Sequence, residues 1–155
     1  KPELVAKIAL YIDLKSNENV LVIGATTGYL TAVLAHQAET VIVVEEIDSL
    51  LNQSEDSIKE NNINNVVFFK GEMVKGCIDQ SPFNAIIIEG AVNDVPEDLL
   101  SQLDEEGRLL AIVSENDICS ARLYRKKDNY FDEEKLFNCI LPTLNSFKNK
   151  NSFSF

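Results

Sequence analysis

Apolar residues along the chain fall into two alternating patterns. Leu4, Val5, Ile8, Ala9 and Ile12 recur at helical spacing behind Pro2, which suits a first helical turn, so residues 2–13 read as an amphipathic helix. Asn17-Glu18-Asn19 marks a turn. Val20-Leu21-Val22-Ile23 is then an unbroken apolar run, as expected of a strand buried on both faces. Gly24-Ala25-Thr26-Thr27-Gly28 interrupts it, and residues 29–37 return to helical spacing through Leu30, Val33 and Leu34.

The cycle repeats. Residues 40–44 read as a second buried strand ending at Glu45-Glu46, and Asp48 is placed to cap a helix running to about residue 61. An Asn-rich turn leads to a third strand at 66–69, closed by Gly71-Glu72-Met73. A fourth strand at 85–88 ends at Glu89-Gly90. Pro96 opens a helix to about Leu103, and a fifth strand occupies 109–113. Alternating strands and helices of this kind build a parallel sheet covered on both faces. After residue 114 the pattern changes: 118–126 and 130–140 flank Lys127-Asp128-Asn129 as an antiparallel hairpin. The segment 141–155, with Pro142 and three Phe, reads as irregular chain pinned by aromatic contacts. The expected architecture is therefore α/β, a Rossmann-like three-layer sandwich. It forms a single domain over 1–155, with a βα core at 1–113 and a C-terminal hairpin and tail at 114–155.

Composition narrows the partners. With 155 residues, 45% hydrophobic and 25% charged, the chain can bury a core without disulfides or metals. The net charge of −11 argues against a general polyanion binder, because such affinity comes from neutralised phosphates, and disfavours anionic membrane surfaces. Residues 1–121 carry −14 and residues 122–155 carry +3. Four of the basic side chains fall between Arg122 and Lys127 and read as a solvated strand face. Cys77, Cys119 and Cys139 lack metal-ligand spacing and read as reduced, small buried hydrophobes. A reducing, cytoplasmic compartment is expected. His36 reads as a surface residue, no metal site is expected, and no catalytic residue stands out. No apolar run approaches a membrane span. The first residues do not resemble a signal peptide, and without an initiating Met two readings stay open, a fragment of a longer chain or a relative with a shorter N-terminal part.

In an open parallel sheet, ligands sit at the carboxyl ends of the strands near the topological switch point. The Gly24–Gly28 turn lies there, and Glu45 follows Gly24 by 21 positions, where an acid can accept hydrogen bonds from ribose hydroxyls. The plainer alternative for Glu45 is a carboxylate at a helix start, a place that Glu46 could fill instead. A dinucleotide turn needs G-x-G-x-x-G, but positions 24, 26 and 29 are Gly, Thr and Tyr. S-adenosylmethionine carries a ribose, no phosphate and a sulfonium cation, and suits a cleft rimmed by Glu45, Glu72 and Glu89.

The stretch Val20 to Tyr29 resembles the first motif of class I S-adenosylmethionine-dependent methyltransferases. With Tyr directly after the last glycine, it is similar more narrowly to protein-L-isoaspartate O-methyltransferases. Phe83 to Ile88, Val95 to Leu103 and Gly107-Arg108-Leu109 resemble later segments of the same family, and residues 1–14 its leading helix. The resemblance implies methyl transfer to isoaspartyl carboxylates of damaged proteins, a protein or peptide substrate, and S-adenosyl-L-methionine as cofactor. It implies a cofactor-binding set of Gly24, Ala25, Thr26, Gly28, Tyr29, Glu45, Glu46, Glu72, Met73, Glu89 and Gly90. Within it, Gly24, Ala25 and Gly28 would line the methionine part, Glu45 would hold the ribose, and Glu72 with Met73 would flank the adenine. Glu89 and Gly90 would lie on the substrate side. The sequence departs from the family at Val22, where an acid is usual, at Thr26, where Gly is usual, and at Glu72-Met73, where Asp-Gly is usual. The family's substrate-binding Ser/Thr segment would precede residue 1. These departures motivate an alternative: a methyltransferase-fold protein without activity, serving a binding or structural role. A dinucleotide-dependent oxidoreductase is the third, weaker reading.

Overall fold

A computed structural model describes residues 2–128, 130–140 and 147. Seven strands form one sheet in the order β3-β2-β1-β4-β5-β6-β7. The elements are α1 (Pro2–Ile12), β1 (Asn19–Ile23), α2 (Tyr29–Ala35), β2 (Thr40–Glu45), α3 (Asp48–Glu60), β3 (Val66–Lys70), β4 (Phe83–Val92), α4 (Glu97–Leu100), β5 (Leu103–Glu115), β6 (Ile118–Lys126) and β7 (Phe131–Cys139). Strands β1 to β5 pair in parallel; β6 and β7 add antiparallel neighbours, as the sequence pattern predicts.

The unbroken apolar runs lie at the centre of the sheet because both faces are covered. Val20 and Val22 join Val41, Val43 and Leu110 beneath α1 and α2, which contribute Val5, Ile8, Ile12, Leu30 and Leu34. Their alternates Leu21 and Ile23 join Ile42, Val44, Ile86, Ile88 and Leu109 on the other face, closed by Met73, Leu99 and Phe147. Phe147 is the described residue of the tail; the reading of the rest of 141–155, and of Asn129 in the hairpin turn, lies outside the described residues.

Three boundaries differ from expectation. The helix after Pro96 is one turn, Glu97–Leu100, because Leu103 already pairs with Phe83 and the Phe83 N–H binds the Gln102 carbonyl at 2.8 Å. Strand β4 does not end at Ile88. It resumes after a register break between Ile87 and Ala91 and pairs Ala91 and Val92 with β5. Glu89 and Gly90 therefore occupy a bulge inside a strand. Asp48 is the first residue of α3 and does not cap it; the cap position is Ile47, and Asp48 instead pairs with Lys70 at 2.9 Å.

The Arg122–Lys127 run is also less solvated than its composition suggests. Arg122 bridges Glu115 (2.8 Å) and Glu133 (3.0 Å) from the two flanking strands, and its side chain is 15% exposed. Cross-strand acids supply the counter-charges, so this face is a paired network.

Arg108, at the buried start of the apolar part of β5, holds four segments together. Its Nε donates to the Ile12 carbonyl (2.9 Å), and Nη2 to the Asp13 carbonyl (2.8 Å) and Glu18 Oε1 (2.8 Å). Nη1 donates to Glu18 Oε2 (2.8 Å) and the Asn84 carbonyl (3.3 Å). The fork thereby satisfies carbonyls left open at the C-terminal end of α1. It also holds the Glu18 carboxyl below its ordinary value of 4.5, chiefly through the hydrogen bonds. A carboxylate whose folded-state pKa is depressed stabilises the fold above its ordinary pKa and stops doing so as pH falls through the folded value. The stability gap between the native chain and Glu18→Gln should therefore be constant above about pH 5 and shrink toward pH 2. Urea unfolding across that range checks this; a gap independent of pH would mean the pair contributes no linkage.

Candidate cofactor site

The strand order reverses between β1 and β4: β2 and β3 lie on one side of β1, and β4 to β7 on the other. Parallel pairing of β1 with β4 ends at Ile23–Ile88, so the chain just beyond each strand opens into a shared crevice. The glycine turn leaves β1 there, and the Glu89-Gly90 bulge leaves the pairing opposite it.

Two glycines make the turn possible. Gly24 has φ +98°, and a Cβ on it would lie 3.2 Å from the Glu89 carbonyl oxygen. Gly28 has φ +83°, caps α2 by position, and a Cβ on it would come within 3.0 Å of Ser54 Oγ in α3. Both positions combine a left-handed backbone with close approach, which a side chain would strain. Thr26 and Tyr29 are exposed, while Ala25 is buried.

The acids behave differently from one another. Glu45, at the end of β2, is 2% exposed. Its Oε1 accepts the Ala25 N–H (2.8 Å), and its Oε2 accepts the N–H groups of Glu46 (2.8 Å) and Ile47 (3.0 Å). It thus ties the glycine turn to the start of α3, the helix-start place considered for Glu46. About one of four acceptor positions remains for a ligand. Glu46 instead reaches the Met73 N–H at 2.9 Å and holds the turn after β3. Glu72 is exposed and pairs with Lys75 at 3.3 Å, while Met73 is buried. Glu89 faces the glycine turn, with Oε1 3.4 Å from the Thr26 N–H. Burial, and secondarily the Glu45 charge, raise its pKa; Thr26 hydrogen bonds oppose the shift. No ion pair among the described residues involves Glu45 or Glu89.

The structure thus brings Gly24, Ala25, Thr26, Gly28, Glu45 and Glu89 together. Glu46 and Met73 form the next wall, and Glu72 and Tyr29 stand at the exposed margin. Sequence reasoning missed the distant backbone N–H groups that the acids accept, Ala25 on Glu45, Met73 on Glu46 and Thr26 on Glu89, each 20 or more positions away. His36 is exposed, as expected, and the described residues hold no group of His, Cys, Asp and Glu suited to a metal. Nor do they contain a helix long and apolar enough to cross a membrane.

The donor set fits a cationic nucleoside. It offers backbone N–H groups, hydroxyls and the Glu45 and Glu89 carboxylates, which form no ion pair with a described residue. Fold and site together define a Rossmann-like fold of the methyltransferase type. A solved structure named protein-L-isoaspartate O-methyltransferase superposes with a TM-score of 0.84 at 28% identity, over 92% of this chain and 47% of that one. A Plasmodium falciparum structure, described as a putative protein-L-isoaspartate O-methyltransferase in complex with S-adenosyl-L-homocysteine, shares the fold. Its TM-score is 0.75 at 22% identity, over 92% of this chain and 72% of the other.

The family model for protein-L-isoaspartate(D-aspartate) O-methyltransferase matches residues 1–148, and the chain belongs to that family. Relatives named protein-L-isoaspartate O-methyltransferase include one from Vibrio campbellii, 39% identical over 130 residues, and one from Aliivibrio fischeri, 37% identical over 133. The alignments cover 84% and 86% of this chain but 62% and 64% of those relatives.

Proposed function

We propose that this chain carries the cofactor-binding fold of an S-adenosylmethionine-dependent O-methyltransferase acting on L-isoaspartyl carboxylates of damaged proteins. Family membership supports the reaction class. The observation that carries the site is the meeting of the glycine turn with Glu89 at the β1/β4 switch, next to Glu45. When bound, the cofactor supplies an electrophilic methyl on a cationic sulfur. The acceptor carboxylate is itself the nucleophile, so the protein's task is positioning and exclusion of water rather than proton transfer. In this reading the glycine turn cradles the methionine part. Glu45 offers its remaining acceptor position to a ribose hydroxyl, and the wall made by Glu46 and Met73 borders the adenine. Glu89 faces the sulfonium, with Gly90 beside it.

Calorimetric titration with S-adenosylhomocysteine and, separately, NAD tests the cofactor assignment: heat is expected with the first alone. Methyl transfer to an isoaspartyl peptide then tests the acceptor. Val22, fully buried among apolar neighbours where the family usually has an acid, favours a second reading in which the fold binds without turning over. Nucleoside binding without methyl transfer would support that reading.

Glu89 separates charged from neutral ligands. Glu89→Gln keeps the side chain's shape and removes its charge. It should weaken S-adenosylmethionine by about 1–2 kcal/mol while leaving S-adenosylhomocysteine, neutral at sulfur, within a factor of two. Equal weakening of both ligands would show that Glu89 acts through shape alone.

A further inference from the structure

Two of the three thiols stand directly opposite each other. In the antiparallel pairing of β6 with β7, Cys119 is the register partner of Cys139, at the end of the ladder. Directly opposed residues place their side chains on the same face of the sheet, with Cα atoms about 4.5 or 5.5 Å apart depending on the type of pair. Both spacings lie within the range a disulfide can span. Cys77 lies elsewhere, in the turn region after β3.

The surroundings leave this pair reachable. Cys119 is 8% exposed, and Cys139 is half-buried. Both thiols line one surface depression with Asp117, Ile118, Asn138 and Ile140. Cys139 also borders a second cavity of about 190 Å3 against α1, where Lys7 contributes. A small oxidant can therefore approach from either side.

We propose that Cys119 and Cys139 form an oxidation site, closing to an intramolecular cross-strand disulfide with oxidants of the hydroperoxide class. The Cys139 thiolate attacks a peroxide oxygen. The O–O bond breaks and hydroxide leaves, taking up a proton to become water, and Cys139 becomes a sulfenic acid. The Cys119 thiolate then attacks that sulfur, the S–O bond breaks, a second water leaves and the S–S bond forms. Two thiols lose two electrons and two protons to one peroxide. Cys139 goes first because it is the more exposed of the two. Burial, with a smaller contribution from Cys119, raises its pKa, and Lys7 partly offsets this. The reaction should therefore run faster near pH 9 than near pH 7, because the thiolate is the nucleophile.

The bond would reach beyond the hairpin. Leu4 and Cys139 both pack against the small buried cluster that contains Cys119. Lys7 Nζ lies 5.0 Å from the Phe137 ring centroid, and the Tyr11 and Phe137 ring centroids are 5.6 Å apart. Closing Cys119 to Cys139 would clamp the strand on which α1 rests.

The test uses the purified, reduced chain, treated with hydrogen peroxide, quenched by alkylation and weighed intact. The oxidised chain should carry one alkyl group, on Cys77, and otherwise weigh about 2 Da less than the unalkylated reduced chain, whereas the reduced control should carry three alkyl groups; a non-reduced digest should join the peptides of Cys119 and Cys139. The thermal midpoint should rise by about 5 °C, reversibly with dithiothreitol. Cys77→Ala should retain the crosslink, and Cys119→Ser and Cys139→Ser should each lose it; circular dichroism confirms that each variant is folded. Oxidation of the native chain that only adds oxygen to Cys139, or that joins two chains through one cysteine, would overturn the proposal.

Discussion

Replacing Arg108 with alanine is expected to cost about 3–5 kcal/mol of folding stability, the largest effect foreseen for a single side chain here. Glu18, whose side chain is 17% exposed, would keep its charge and lose its guanidinium partner, retaining the Lys15 N–H on Oε1. The carbonyls of Ile12, Asp13 and Asn84 would lose their donor at the same time. Their desolvation is then uncompensated, and that cost exceeds the modest net gain of forming the bonds. Urea unfolding should show a lower midpoint with an unchanged slope. Arg108→Met, which retains much of the stem, should recover only a minor part, because the fork rather than the methylenes meets the carbonyls. A double variant, Arg108→Met with Glu18→Gln, should recover more by removing the stranded charge. A loss below about 1 kcal/mol for Arg108→Ala would class the network with ordinary surface pairs and contradict this account.

The second large effect concerns Glu45. Glu45→Ala removes the acceptor shared by three backbone N–H groups and, in the proposed function, a contact to ribose. Hydrogen bonds to a charged group contribute about 1.5–3 kcal/mol, so S-adenosylhomocysteine affinity should fall on the order of 10- to 100-fold. The thermal midpoint should fall as well, since the glycine turn and the start of α3 lose their common anchor. Calorimetry on the folded variant separates the two effects. A lower midpoint with unchanged affinity would leave Glu45 as a purely structural tie and remove it from the ribose.

The central sheet was legible because burial on both faces leaves an unmistakable trace, as in Val20–Ile23 and Ala85–Ile88. The outer ends were less so. Glu89-Gly90 breaks the apolar run of β4 and looks like its end, whereas a bulge lets the strand continue to Val92. The helix after Pro96 looked longer because Leu99, Leu100 and Leu103 have helical spacing, while Leu103 pairs with Phe83 instead. Candidate site residues could be located by their place at the strand ends. Their allegiances could not: Glu45 and Glu46 are neighbours in sequence, yet one binds Ala25 and the other Met73. Arg108 was the clearest omission. Its signal was a lone arginine directly before a buried apolar strand, but its partners lie 24 to 96 positions away.

The bulge in β4 also gives the crevice two unlike jaws. Beyond Glu89-Gly90 the chain is again held by the sheet, through Ala91 with Ile112 and Val92 with Val113, so this side is a fixed rail. The side after β3 is a turn, held to the start of α3 by the Glu46 carboxylate on the Met73 N–H. A ligand that competes for Glu46 would loosen only that jaw. Glu89, on the side that the sheet holds, would keep its place.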